Sequence, residues 1–246
     1  MPANDPHGRR FGEAAQAYER GRPDYPPAIV DWLLEWTPRR VVDLGAGTGK
    51  LTRDLVGRVE SVVAVEPDAG MRTAFAQVLP DVVILPGTGE RIPLPDASAD
   101  AVLASQAWHW VDPDRAEPEV ARVLVPGGYL GLVWNDRDES DPWIAQLSHL
   151  LEEFGTSPDA GYRPAFGPLF APMEVIEIPW THVASVEAVV DMIASRSYVI
   201  ALGEADQQTL LDLVRAHALS AASTSGEVSV RYVTRGYRAR TVVAQG

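Results

Sequence analysis

Residues 43–50, Asp43-Leu44-Gly45-Ala46-Gly47-Thr48-Gly49-Lys50, follow a β-branched run and open a helical pattern. Glycines in such a loop permit a tight turn and let a ligand approach the backbone and the positive helix N-terminus. Three ligand classes use loops of this kind, and spacing separates them. A phosphate-binding loop needs G-x-x-x-x-G-K-[ST]. Here Gly49-Lys50 fit, but the first glycine position holds Leu44 and the hydroxyl position holds Leu51. A dinucleotide fingerprint needs G-x-G-x-x-G/A. Begun at Gly45, it ends on Lys50, which opposes a nicotinamide-dependent oxidoreductase. What stands is D-x-G-x-G-x-G, with Asp43 at the end of one strand and Glu66 at the end of the next, seventeen positions after Gly49. A carboxylate at that second strand tip can accept both ribose hydroxyls of an adenosine.

A second candidate is Trp108-His109-Trp110, placed after a later apolar run. His109 is the candidate general base, because its unperturbed pKa of about 6.5 lets it take a proton near neutrality. The competing reading makes it a residue of that turn that supports or contacts the ligand without taking a proton. His7, His149, His182 and His217 have no partner pattern around them. The chain carries no H-E-x-x-H or D-x-D-x-D spacing and no cysteine, so no metal site is expected. It also lacks the G-x-S-x-G elbow of hydrolases.

These residues need elements to hold them. Short apolar runs at Val41–Leu44, Val62–Val65, Val82–Leu85, Ala101–Ala104 and Tyr129–Trp134 alternate with helical patterns at Thr48–Val56, Asp68–Leu79 and Asp112–Leu124. Strand–helix alternation at this spacing marks right-handed βαβ units on a parallel sheet. Runs that are apolar at consecutive positions suit strands covered on both faces. The expected fold is therefore α/β, doubly wound, with a mostly parallel sheet and helices on both faces. Ahead of it, Phe11, Ala14, Ala15 and Tyr18 follow helical spacing, then a Pro-rich segment and a second helix through Trp32 and Trp36. After it, residues 155–172 read as a long Gly/Pro/Phe loop. A strand at Glu174–Trp180, two helices at about 185–201 and 204–221, and a closing strand pair or hairpin from Val228 to Val243 follow.

Four motifs in register carry a family resemblance. They are the glycine loop with Glu66, the segment Gly87-Thr88-Gly89-Glu90-Arg91-Ile92-Pro93-Leu94-Pro95-Asp96, the run Asp100–Trp110, and the turn Arg122-Val123-Leu124-Val125-Pro126-Gly127-Gly128. Over about residues 41–135 the sequence resembles the class I, Rossmann-like S-adenosylmethionine-dependent methyltransferases, in their small-molecule branch. The resemblance implies a seven-stranded sheet and S-adenosyl-L-methionine as cofactor. It places Asp43, Gly45, Ala46 and Gly47 at the methionine end, Glu66 at the ribose diol, and Pro67 and Met71 beside the adenine. Thr88, Gly89 and Glu90 would lie along the adenine edge, and Ser105 or Gln106 would face the methionyl amine. Relatives often carry Asp where this chain has Thr88, a neutral partner. The segment Tyr18-x-x-x-Arg22-Pro-x-Tyr25-Pro resembles a lid in one branch of the family, with Tyr18 and Arg22 closing over the cofactor.

The resulting division is an N-terminal helical lid segment, 1–36, and a Rossmann-like domain, 37–246, with an insertion at about 155–172 and a helical pair at about 185–221. Nucleic-acid amino-methylating relatives use an Asn-Pro-Pro-Tyr type motif where this chain has Ser105-Gln106-Ala107-Trp108. A formal charge of −13 also disfavours a polyanionic partner. The expected acceptor is a small, largely apolar molecule seated against Trp108, Trp110 and the segment 140–200, where further aromatic residues cluster. Four arginines, Arg231, Arg235, Arg238 and Arg240, read as the solvated face of the closing strand. The longest run without an acidic or basic residue, Val123–Asn135, is thirteen residues, short of the roughly 18 a membrane helix needs. Residues 1–10 show no secretory pattern, so a cytoplasmic location is expected, and the sequence is silent on oligomeric state. A catalytically silent cofactor-binding protein of the same fold, acting as regulator or partner subunit, is the alternative. No broken cofactor motif supports it.

Overall fold

The computed structural model describes residues 22–155 and 161–242. In chain order they form α1 (Pro27–Leu34), β1 (Arg40–Leu44), α2 (Lys50–Leu55), β2 (Ser61–Val65), α3 (Ala69–Val78), β3 (Val83–Leu85) and β4 (Ala99–Ser105). A 3₁₀ turn (Trp108–Trp110), α4 (Pro113–Val123), β5 (Leu124–Arg137), α5 (Pro142–Glu152) and β6 (Glu174–Ser185) follow. The last elements are α6 (Val186–Ala194), α7 (Ser197–Ile200), α8 (Glu204–Ala221) and β7 (Glu227–Arg240). The seven-stranded sheet has the order β3-β2-β1-β4-β5-β7-β6. The first five strands pair in parallel. β7 runs against β5: Thr241 N–H donates to the Gly128 carbonyl at one end and Asp138 N–H to the Arg231 carbonyl at the other.

Two compact units divide the chain. One comprises 24–135, 161–178 and 234–246. Its apolar runs split by strand period. Val42, Leu44, Val102, Ala104, Leu130 and Leu132 face one side and pack with Ala116, Val120 and Val123 of α4. Val41, Ala101, Leu103, Tyr129 and Val133 face the other and pack with Ile29, Val30 and Leu33 of α1 and Leu51 and Leu55 of α2. Each face has its own helical cover, which is why consecutive positions are apolar.

The other unit, 1–23, 136–160 and 179–233, has its own core of Ile144, Leu147, Leu151, Val190, Ile193, Leu210, Val214 and Tyr232. Its helix α5 was not expected from the sequence. It starts on Asp141, whose carboxylate accepts from the Trp143 and Ile144 amides, with Pro142 at the first helical position.

Two expectations change. The closing segment is one long strand rather than a hairpin, because it has an antiparallel neighbour to follow for its whole length. Of the four arginines, Arg231 and Arg240 are exposed as expected, whereas Arg238 is not on a free face. Arg238 is 3% exposed, with Trp32 and Trp36 rings each 4.1 Å from its guanidinium. It donates to Glu35 at 2.6 Å, to Glu174 at 2.8 Å and to the Trp32 carbonyl. The expected helix Phe11–Tyr18, and Tyr18 with it, lie outside the described residues.

Candidate functional site

The site residues expected at the cofactor, apart from Tyr18 and Arg22, come together in the first unit. They sit where the parallel strands end, the edge at which such sheets receive ligands. Gly45, Gly47 and Gly49 all have positive φ, +71°, +56° and +95°. A Cβ on Gly45 would lie 2.5 Å from the Ala107 Cβ, whereas one on Gly47 would meet nothing within 4 Å. Gly45 is thus fixed by packing, and Gly47 borders open space. Glu66, buried, accepts from the Gly47 amide through Oε2 and from the Asp68 amide through Oε1, both at 2.9 Å. Arg72 clamps the same turn by donating to the Glu66 carbonyl at 2.9 Å and the Pro67 carbonyl at 2.6 Å. Burial raises the Glu66 pKa, and the two amides only partly oppose it.

Asp43 is fully buried at the end of β1. Its Oδ2 accepts the Thr52 hydroxyl at 2.5 Å, while Oδ1 has no partner. Burial pushes this carboxyl up to about 7, with the Thr52 bond pulling the other way. Gln106, at φ +54°, donates its backbone N–H to the Val133 carbonyl and its Nε2 to the Asn135 carbonyl, leaving Oε1 buried and unpartnered. Two acceptor oxygens on neighbouring strand ends, each without a donor, fit the ammonium of a methionyl group. The Glu66 oxygens keep lone pairs for a ribose diol. The residues present therefore fit S-adenosylmethionine.

Thr88 and Arg91 exchange backbone hydrogen bonds that pin the next loop. Glu90 accepts the Asp112 amide at 2.8 Å and the Thr88 hydroxyl. Burial acts to raise its pKa, but these bonds and Arg115 outweigh it and hold Glu90 below the usual range. The Thr88 hydroxyl oxygen can itself accept from a donor. Arg122 of α4 fixes the loop's far side by donating to the Ile92 and Leu94 carbonyls, Glu119 and Asp96. Pro67 is exposed and Met71, half-buried, has its amide on the Asp68 cap.

The 3₁₀ turn distributes its rings unequally. Trp108 is core, 1% exposed, with its indole N–H unpartnered, whereas Trp110 is 61% exposed. His109 packs beside Trp110 and Tyr162. Trp134 Nε1 donates to His109 Nδ1 at 3.4 Å, which puts the neutral ring's own proton on Nε2. Of the other aromatic residues in the segment 140–200, Tyr162, Phe166 and Phe170 lie in this unit. Trp143, Phe154, Trp180 and Tyr198 belong to the core of the other unit, where Trp143 stacks on His217 and Trp180 on Tyr232. Arg22 is in that other unit as well.

Several contributors escaped the sequence reading. Thr52 holds Asp43, and Lys50 pairs with Asp24 at 3.0 Å rather than serving a phosphate. Asn135 accepts from Thr234 at 2.6 Å and donates to the Asp24 carbonyl. Among the described residues no cluster of His, Cys, Asp or Glu could hold a metal ion. No helix there is long and apolar enough to cross a membrane.

A strand order of 3-2-1-4-5-7-6 with a D-x-G-x-G-x-G loop and an acidic second-strand tip defines a Rossmann-like α/β class. Known proteins narrow that class. The family described as "Methyltransferase domain" matches residues 42–132. An uncharacterised methyltransferase of Mycobacterium tuberculosis is 48% identical over 231 residues, 93% of this chain and 94% of that one. An uncharacterised methyltransferase-like protein of Schizosaccharomyces pombe is 32% identical over 203 residues, 78% of each chain. A solved structure from Anaeromyxobacter dehalogenans, assigned as a type II methyltransferase, superposes with a TM-score of 0.62 at 27% identity, covering 90% of this chain and 98% of that one. The chain belongs to the class I, Rossmann-like S-adenosylmethionine-dependent methyltransferase family.

Proposed function

We propose that the protein binds S-adenosyl-L-methionine and transfers its methyl group to a small-molecule acceptor. One observation carries the reading. Glu66 is held by two backbone amides beside a glycine loop that opens at Gly47, and the Asp43 Oδ1 atom is buried at the adjacent strand end without a donor. When bound, the cofactor supplies a methyl group on a sulfonium, activated for in-line displacement. The chain's own part is to hold and align. Glu66 accepts from the ribose diol, Asp43 and Gln106 accept from the methionyl ammonium, and Ser105 lends its carbonyl at the same strand end. Met71 and Pro67 border the adenine, with the Thr88–Glu90 loop along its edge. His109 is the group placed to meet an acceptor. To serve as base through Nδ1 it must give up the Trp134 bond.

The charge of −13 and the Ser105-Gln106-Ala107-Trp108 sequence support a small molecule over a nucleic acid. A metabolite library incubated with enzyme and cofactor, read by mass spectrometry, tests this. Gain of one methyl group by a small molecule is expected. Methylation of tRNA or DNA instead, with binding that falls steeply as salt rises, would overturn it.

A further inference from the structure

We infer that Arg137 and Arg196 form a binding site for an oxyanion, the carboxylate or phosphate group of a small molecule. Both residues lie in the unit built from 1–23, 136–160 and 179–233, and the site does not depend on the methyl-transfer reading. Arg196 sits between α6 and α7 and is 8% exposed, with its Nε buried and unpartnered. Arg137, the last residue of β5, donates from Nε to the Ser148 hydroxyl at 3.2 Å, and its Nη1 is likewise buried without a partner. Arg137 is only half-buried, so the pair is open to solvent on its side.

The charged groups acting on Arg196 are both cations. Burial acts first on Arg196, then repulsion from Arg137 and from Arg22, and together they pull its pKa down to about 9. At neutral pH it is still a cation. The remaining groups acting on it are the Tyr198 and Tyr232 phenols. Tyr232 is buried, donates its hydroxyl to the Met192 sulfur, and has its pKa raised by that burial, so it supplies no counter-charge. The exposed arginines of the same unit show the opposite arrangement. Arg215 pairs with Glu187 and Asp212, and Arg231 with Asp138 and Asp141. Within this unit, the buried Arg196 has no carboxylate partner, whereas the more exposed Arg215 and Arg231 each have two. A buried unpaired charge is costly, and an oxyanion answers both deficits. It cancels charge and accepts the stranded N–H groups in the fork geometry guanidinium favours.

The test is thermal melting and calorimetry of the full chain at pH 7 in sodium phosphate, sodium succinate and sodium chloride at matched ionic strength. We expect a saturable rise of the midpoint in phosphate or succinate beyond chloride. A larger response to succinate assigns a carboxylate, and a larger response to phosphate a phosphoryl group. General salt stabilisation acts on every variant alike, so the site-specific part is what Arg137→Gln and Arg196→Gln lose, with Kd weakened at least tenfold. Should Arg196→Gln fail to fold, the wild-type titration and the half-exposed Arg137→Gln decide. Equal midpoints in the three salts, or an Arg137→Gln variant that keeps the full response, would overturn the site.

Discussion

Asp43 concentrates the electrostatics of the site. Its carboxyl, pushed by burial up to about 7 from an ordinary 3.8, holds a proton more tightly folded than unfolded. Its contribution to stability is therefore present at low pH and is lost as pH rises from about 4 through 7. A bound ammonium reverses the preference, because it favours the ionised carboxylate. Cofactor affinity should fall roughly tenfold per pH unit below about 7, with proton release on binding. Calorimetry in buffers of different ionisation enthalpy measures both, and Asp43→Asn should flatten the profile. His109 belongs to the same scale. Because Nδ1 already accepts from Trp134, His109→Gln is expected to shift substrate KM and leave turnover within about tenfold. A loss of about 10²–10⁴ in turnover would instead establish it as the base. Glu66 and Asp43 were legible in the sequence because each ends a strand at a fixed distance from the glycines. Thr52 and Asn135 were not, since their roles exist only once separate elements meet.

At the scale of elements, the glycine loop separates packing from ligand approach. Gly45→Ala meets a positive φ and the Ala107 Cβ at 2.5 Å, so it should lower stability by about 2–4 kcal/mol. Gly47→Ala meets only the positive φ, and about 1–2 kcal/mol is expected. If the cofactor lies over Gly47, that second variant loses affinity out of proportion to its stability. Denaturant melts paired with calorimetry distinguish the two effects. Strands β1 to β5 were readable because β-branched runs covered on both faces leave an unbroken apolar signal. Helix α5 was missed although Asp141-Pro142 repeats the Asp112-Pro113 start of α4.

Over the whole molecule, residues far apart in sequence close the first unit. Arg238 of β7 lies between Trp32 and Trp36 and pairs with Glu35 and Glu174. Its partners are more than half exposed, so the ion pairs add little and the stacked, buried guanidinium contributes most. Arg238→Ala should cost about 2–4 kcal/mol in chemical denaturation, and Lys should not restore it, because an ammonium lacks the planar face. The arginine row looked like a solvated face because the sequence does not reveal the tryptophans that Arg238 and Arg240 meet about two hundred positions earlier.

The central claim is that this unit holds adenosylmethionine through an acidic strand tip and an open glycine loop. Isothermal calorimetry with S-adenosylmethionine and with NAD, on the wild type and on Glu66→Ala, tests it most directly. The wild type is expected to bind S-adenosylmethionine and not NAD, and Glu66→Ala to weaken binding by about 1.5–3 kcal/mol, the worth of hydrogen bonds to a charged group. Binding of NAD with none of S-adenosylmethionine, or an unchanged affinity in Glu66→Ala, would contradict it.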